Sequence, residues 1–510
     1  VSASGKNATV ADFDLAVIGG GINGAGIARD AAGRGLRVVL LEQNDLASGT
    51  SSASSKLIHG GLRYLEHGEF RLVRAALAER EILLRAAPHL IRPLRFVLPL
   101  NPQRRSPQLL RLGLLLYDWI GRRKILPGTR HLDLVADPAG YPLRNTFAHA
   151  FEYSDCFADD ARLVVLNAMD AAERGASIRT RARCVRAERG EAWRLAVNAR
   201  GRRDELTARV LVNAAGAWVE TVAGTVLRQQ PARSQVRLDK GSHIVVRRFY
   251  DHDRAYILQT ADRRVVFAIP FERDFTLIGT TDQNFAGDPA AVAATGPEID
   301  YLCSVVNEYF RASITAADVV WAFAGVRALY DDGARKPQDI GRDYALVLDE
   351  RFGEAPLLTV YGGKLTTYRR LAEDALDRLA HFFPQSRRWT ANAPLPGGDF
   401  SHDEIDALVR GTLQQWPFLG EDHARRLAHA YGTRVRNLLG NAARLDDLGQ
   451  RFGADLTAAE VRYLTQREWA QNADDVLWRR SKLGLRLSGL QAAALAGFMA
   501  KESAARASGA

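Results

Sequence analysis

Residues Phe13-Asp14-Leu15-Ala16-Val17-Ile18-Gly19-Gly20-Gly21-Ile22-Asn23-Gly24 decide the fold of this chain. Phe13 to Ile18 is a short apolar run of strand character, three glycines follow, and an alanine-rich helical pattern extends from Ile22 to Arg34. Gly35 breaks that helix, and Arg37 to Leu41 reads as a second apolar strand ending at Glu42. Strand, glycine turn, helix and strand make a βαβ unit, and Gly19, Gly21 and Gly24 fit the G-x-G-x-x-G fingerprint of dinucleotide-binding folds. Gly19 allows the tight turn, Gly21 lets a pyrophosphate approach the backbone, and Gly24 permits close packing of helix on strand. Ile22 and Asn23 open the helix, whose free amides and end dipole favour phosphate. Glu42 follows Gly24 by 18 residues, where a carboxylate accepts ribose hydroxyls.

Working outward, the fingerprint stands in the first unit of the chain, which points to FAD rather than NAD by association with how FAD-binding folds begin. A Ser-rich segment from Ala47 to Lys56 follows, then helical patterns over Glu69 to Ala87 and Leu109 to Ile120. Short alternating runs over Ile178 to Val185 and Trp193 to Ala199 predict antiparallel strands, and Val210 to Val212 predicts a buried one. Further strands are expected at His243 to Val246, Ala255 to Leu258, Val265 to Ile269, Thr276 to Gly279 and Leu357 to Val360. A long helix is expected from Leu365 to Phe382, and helix periodicity with almost no strand signal from about Gly397 onward. The expected fold is α/β: a Rossmann-like dinucleotide-binding domain with an inserted antiparallel-sheet substrate domain, plus an all-α C-terminal domain. The composite body spans 1–385, with dinucleotide pieces at about 12–90, 150–225 and 340–385 and substrate pieces at about 91–149 and 226–339; the helical domain takes 386–510.

Bulk properties agree with a multi-domain globular protein. A length of 510 residues exceeds one ordinary core, and 47% apolar with 25% charged residues argues against extended disorder. The net charge of +10 suits nucleic acid, anionic lipid or acidic small molecules as partners. Three scattered cysteines, Cys156, Cys184 and Cys303, suggest neither a disulfide framework nor a metal site. The first ten residues are small and polar, resemble neither a signal peptide nor an Arg-rich transit peptide, and are expected to form a loose tail. No stretch reaches the roughly 18 to 20 apolar residues that span a bilayer.

A second set of motifs goes further. The stretch from Thr50 to Glu66 (T-S-S-A-S-S-K-L-I-H-G-G-L-R-Y-L-E), the glycine turn and Gly362-Gly363-Lys364-Leu365-Thr366-Thr367-Tyr368-Arg369 together closely resemble the FAD-dependent (aerobic, respiratory) glycerol-3-phosphate dehydrogenases. The resemblance continues through Phe151 to Cys156, Lys240 to Val246, Ile278 to Asp282, Gly325 to Arg327 and Gly341 to Tyr344, and into the tail at Leu395 to Gly398 and Asp474 to Arg480. It covers nearly the whole chain in a fixed order. The family often reads A-T-G-P-W where this chain has Ala214-Ala215-Gly216-Ala217-Trp218, and G-V-R-P-L where it has Gly325-Val326-Arg327-Ala328-Leu329.

The resemblance implies oxidation of sn-glycerol 3-phosphate to dihydroxyacetone phosphate by hydride transfer to FAD. Such chemistry needs a base for the hydroxyl proton and cations for the phosphate. The resemblance places His59, Arg63, Arg327 and Lys364 near flavin and substrate. Arginine's planar fork suits phosphate, which singles out Arg327 and Arg342, then Arg63. The base is His59 or His243, since imidazole titrates near neutrality. Tyr64, Thr280 and Lys364 are further substrate contacts. Cofactor contacts are implied, besides the glycine turn and Glu42, at Thr50, Ser51, Ser54, Lys56, Leu57, His59, Gly60, Gly61, Val185, Ala215, Gly216, Gly363, Lys364, Leu365, Thr366 and Thr367. The helix after Gly363 would favour negative charge on reduced flavin.

For reoxidation the resemblance implies a membrane quinone, ubiquinone or menaquinone. Leu109, Leu110, Leu112, Leu114, Leu115, Leu116, Trp119 and Ile120, flanked by Arg104, Arg105, Arg122, Arg123 and Lys124, suit a segment lying in the interface of an anionic membrane. The expected place is the cytoplasmic face of the inner membrane, peripherally bound, and the expected assembly a homodimer. Two other readings stay open: an oxidase that passes electrons to dioxygen and makes hydrogen peroxide, and a basic flavoprotein binding membrane or RNA without turnover. Against nucleic acid, the arginines are spread along the chain and no RNA-binding motif appears.

Overall fold

Strand Phe13–Ile18 runs parallel between Val38–Leu41 and Arg202–Asn213, with Leu15 opposite Val38 on one side and Val210 on the other. The computed structural model describes residues 11–101, 106–121, 125–229, 236–262, 264–331, 343–384 and 387–508, without the side chains of 63, 66, 67, 507 and 508. The ten-residue tail, Arg104, Arg105, Arg122, Arg123, Lys124 and Arg342 lie outside the described residues.

The first sheet runs in the order Ala345–Arg351, Glu354–Tyr361, Arg202–Asn213, Phe13–Ile18, Val38–Leu41, Ser177–Arg179, parallel except for its first strand. Helices Ile22–Gly33, Asp160–Glu173 and Tyr368–Arg378 cover one face around Val17, Ala28, Leu163 and Leu371. The hairpin Ala182–Glu188 and Trp193–Ala199 covers the other, where Trp193 is wholly buried and its indole Nε1 donates to the Pro356 carbonyl at 2.9 Å. Two-sided covering is what an all-parallel core requires.

The second sheet has ten strands and is mostly antiparallel. Its long members are Ile91–Pro99, His149–Ala158, Val236–Arg247 and Val319–Tyr330, the last two paired along their length with Asp239 opposite Arg327. The α/β body with a second sheet is therefore as expected, with one boundary moved. His149–Ala158 pairs with Ile91–Pro99 and packs Phe151 and Tyr153 into the second sheet's core, so the dinucleotide-binding unit resumes at Asp160 rather than at about 150. The expected helix Leu365 to Phe382 is also shorter. Leu365–Thr367 forms a tight 3₁₀ turn, the α-helix spans Tyr368–Arg378, and Leu379 to Phe383 close with three-residue hydrogen bonds ahead of Pro384.

Helices Ile405–Gln415, Glu421–Tyr431, Ala458–Arg467 and Gly489–Ser508 form the C-terminal domain, with its own core around Trp416, Leu427, Tyr431 and Leu464. A short pair, Arg451–Gly453 with Leu456–Thr457, supplies its only strands among the described residues. No described helix is long and apolar enough to cross a membrane.

Replacing Trp193 with alanine removes the anchor of the hairpin-covered face and strands the Pro356 carbonyl. We expect a loss of ~3–5 kcal/mol in unfolding free energy, read as a lower denaturant midpoint. An unchanged midpoint would mean that this face does not limit stability.

Candidate functional site

The glycine turn is built by close approach. Gly19 has φ +113°, and a Cβ there would lie 2.5 Å from the Ala214 carbonyl oxygen. A Cβ on Gly24 would lie 1.9 Å from the Gly19 carbonyl oxygen, so only glycine lets the helix sit this close to the strand. Glu42 is almost fully buried and accepts from the Gly20 amide and the Asn44 amide, both at 2.7 Å. Burial pushes its carboxyl above the usual range, against the lowering pull of those two N–H groups.

Beside this turn opens a cleft of about 1460 Å³. Gly19, Gly21, Glu42, Thr50, Ser51, Ala215 and Gly216 all line it. Ile22 donates its amide to Ser51 Oγ at 3.0 Å, and the Thr50 hydroxyl donates to the Val326 carbonyl at 2.5 Å, which ties the Ser-rich segment to both sheets. Asn23 does not face the cleft's ribose end; its Nδ2 donates to the Gly362 carbonyl at 3.0 Å and holds the Gly362–Gly363 turn against the first helix.

Several expected cofactor contacts point elsewhere. Ser54 and Lys56 both turn onto Asp160, with Ser54 Oγ at 2.7 Å and Lys56 Nζ at 2.6 Å, because that buried carboxylate needs partners. Leu57 packs in the second sheet's core, opposite Phe157. Val185 is 40% exposed, turned out by a bulge between Cys184 and Arg186, while Ala182, Arg183 and Cys184 line the cleft instead. Leu365 packs on the first core, and Thr366 and Thr367 are buried.

Two groups of polar side chains flank the segment between Thr50 and His59. In one, the half-buried His59 donates its amide to Thr366 Oγ1 at 3.2 Å, and Lys364 Nζ lies 4.0 Å from the centre of the Tyr64 ring. Lys364 Nζ is buried with no hydrogen-bond partner among the described residues. The Gly60 amide donates to the Tyr117 hydroxyl at 2.8 Å, and that hydroxyl donates to Asp155 at 2.9 Å. Gly61 has φ +75° and starts the turn Leu62–His67, which carries Arg63; the Arg63 side chain lies outside the described ones.

In the other group, His243 Nε2 lies 2.8 Å from Ser55 Oγ and the ring stacks on Phe323 at 4.9 Å. A Cβ on Gly279 would lie 2.1 Å from that imidazole, so glycine opposite His243 makes room for it. Arg327 pairs with Asp282 at 3.1 Å and remains 46% exposed on its side chain. The Thr280 hydroxyl donates to the Thr281 carbonyl at 2.9 Å, beside the Arg327 guanidinium across Gly241. Thr281, by contrast, is tied to Glu298, which Lys240 also pairs at 2.6 Å. Burial pulls the His243 imidazole down to about 3, with Lys56 and Arg327 pushing the same way. His59 is lowered by burial and by Lys364, against an opposing pull from Asp155. Both imidazoles are therefore neutral near pH 7.

Trp218, Trp321, Phe323, Trp478 and Arg479 also line the cleft and were not assigned to the site from the sequence. Trp218 and Trp478–Arg479 lie inside quoted motifs, but nothing local tells which tryptophan faces a cofactor.

The donor set fits FAD: a glycine turn that a Cβ would obstruct, a ribose-ready carboxylate and a long cleft. Residues 14–369 match the family described as FAD dependent oxidoreductase, and 388–505 match the C-terminal domain of alpha-glycerophosphate oxidase. The chain is 52% identical to a glycerol-3-phosphate dehydrogenase of Pseudomonas aeruginosa over 96% of its own length and 95% of the relative's. It is 51% identical to a D-erythritol 1-phosphate dehydrogenase of Brucella abortus, over 94% and 96% of the two chains. The Bacillus halodurans glycerol-3-phosphate dehydrogenase, solved with FAD, superposes with a TM-score of 0.72 at 28% identity, covering 92% of this chain and 86% of that one. FAD is thus the cofactor, and the chain belongs to the FAD-dependent oxidoreductases, in the family of the glycerol-3-phosphate dehydrogenases.

Proposed function

We propose that this enzyme oxidises sn-glycerol 3-phosphate to dihydroxyacetone phosphate and delivers the electrons to a membrane quinone, ubiquinone or menaquinone. The observation that carries the reading is the grouping of two neutral imidazoles with cations of the right kind for a phosphorylated alcohol. When bound, FAD supplies the ring that accepts the substrate's hydride. His59 or His243 accepts the hydroxyl proton on a ring nitrogen, so hydride and proton leave the carbinol together as the carbonyl forms. Arg327 grips the phosphate with the donors that Asp282 leaves free, and Arg63 and Arg342 join it. Lys364, held over Tyr64, would take a substrate oxygen or favour negative charge on the flavin, and Thr280 would orient the substrate with Arg327.

Peripheral attachment to the cytoplasmic face of the inner membrane is the second part of the proposal. Helix Pro107–Ile120 buries Leu110, Leu114 and Tyr117 and exposes Leu109, Leu112, Leu115 and Trp119, the last by 78%. An apolar outer face with basic sequence at both ends suits the headgroup region of an anionic bilayer.

Anaerobic addition of glycerol 3-phosphate should bleach the flavin, and faster than the same concentration of D-erythritol 1-phosphate. The reverse order would replace the substrate, and no bleaching with either would end the proposal. Peroxide formation in place of quinone reduction would mark an oxidase. Arg327→Met should raise KM by ~10-fold or more, the loss of a charge-assisted phosphate contact, while leaving FAD content unchanged; equal loss of both would make Arg327 structural.

Because burial lowers both imidazoles, the proton acceptor stays neutral to lower pH than an ordinary histidine. The acid limb of kcat should therefore fall below about pH 6.5, the ordinary histidine value, and should vanish with kcat in whichever of His59→Asn and His243→Asn removes the base. A limb above that value would contradict the buried, neutral acceptor.

The double substitution Leu112→Glu and Trp119→Glu should weaken co-sedimentation with vesicles rich in anionic lipid by ~10-fold or more. Undiminished sedimentation would move the membrane contact off this helix.

A further inference from the structure

The C-terminal domain reaches the cofactor cleft through one short segment, Asp475–Arg480. Trp478 and Arg479 stand in the cleft wall, and the Trp478 ring stacks on Trp321 of the second sheet at 4.7 Å. Behind it, a Cβ on Gly484 would come within 2.5 Å of the indole, so the ring has a fixed shelf. The neighbouring arginines both hold Asp45, Arg479 Nε at 2.6 Å and Arg480 at 2.7 Å. Asp45 lies three residues past Glu42, in the loop that leaves the ribose end of the cleft.

That loop is gripped from a second side. Arg181 donates its amide to the Asn44 carbonyl at 2.8 Å, and its guanidinium pairs with Asp475 at 2.8 Å. Asp475 also pairs with Arg479. Asp45 is thus held by ion pairs and Asn44 by a backbone hydrogen bond, in a network that reaches a segment some 435 residues away. Arg480 and Asp475 are wholly buried, so solvent exposure does not weaken these pairs as it does surface ones.

We propose that Asp475–Arg480 is a cofactor-retaining strap: it orders the loop after the ribose acid and closes the cleft wall with Trp478, so FAD leaves only when the strap loosens. The proposal rests on the reading of the Gly19–Glu42 cleft as the FAD site. A preformed loop and wall act mainly on the rate of release, since ordering is already complete when the ligand arrives.

The test uses the full-length holoenzyme. Trp478→Leu and Arg479→Gln are diluted rapidly and FAD release is followed by its fluorescence, with Gly24→Ala made in parallel. Release at least ~10-fold faster than wild type in both strap variants is expected. If Gly24→Ala keeps FAD as tightly as wild type, the cleft reading fails; if Gly24→Ala loses FAD while both strap variants release it at the wild-type rate, the strap is wrong. Should Trp478→Leu not fold, Arg479→Gln decides alone, because its side chain is partly exposed and is the one that bridges Asp45 to Asp475.

Discussion

A parallel strand buried on both faces has to be covered twice, and that requirement organises this molecule. Leu15, Ala16 and Val17 are fully buried, and the chain returns from residues 160–173, 182–199, 202–213 and 354–378 to enclose them. Two of these returns end at the candidate site. The Arg202–Asn213 strand delivers Ala215 and Gly216 to the cleft, and Glu354–Tyr361 delivers the Gly362–Gly363 turn and Lys364. The cofactor end of the candidate site is therefore a by-product of covering the first strand, while the second sheet carries His243 and Arg327 on two paired strands, four register positions apart.

Buried ion pairs join these distant returns. Arg29–Asp170, Arg80–Asp155, Arg369–Glu79 and Arg480–Asp45 all lie at 7% side-chain exposure or less, and each links elements far apart in sequence. Arg162 and Glu468 likewise bind the first domain to the C-terminal one. Such pairs gain little over well-packed apolar residues, but removing one partner leaves a buried charge, at about 3–5 kcal/mol. Each such pair is neutral, so the net charge of +10 resides outside them.

Local pattern made the βαβ unit legible, because each glycine in it answers a contact that can be named: Gly19 against Ala214, Gly24 against Gly19. The helix Asp160–Glu173 was not legible. Every residue from Asp160 to Ala171 is buried, so it has no polar face to give a period. Strand Ile91–Pro99 hides for another reason: Pro93 and two arginines interrupt its run, although Pro93 sits opposite Cys156 in the ladder. The helix Gly296–Tyr309 had a readable start, the Thr295–Glu298 capping box. In the candidate site, resemblance names segments but not the direction of each side chain. Ser54 and Lys56 were taken by Asp160, a partner more than a hundred residues on, and no local rule contains that contact.

The cleft wall draws on residues from Ile18 to Arg479, and synthesis supplies them in that order. The glycine turn leaves the ribosome first, yet the strand that flanks Arg202–Asn213 arrives some 340 residues later and Trp478 later still. Cofactor capture in the finished geometry is consequently a late event in the life of the polypeptide. A chain that ends before residue 478, by nonsense mutation or proteolysis, keeps its dinucleotide fingerprint intact and still lacks one side of the cleft.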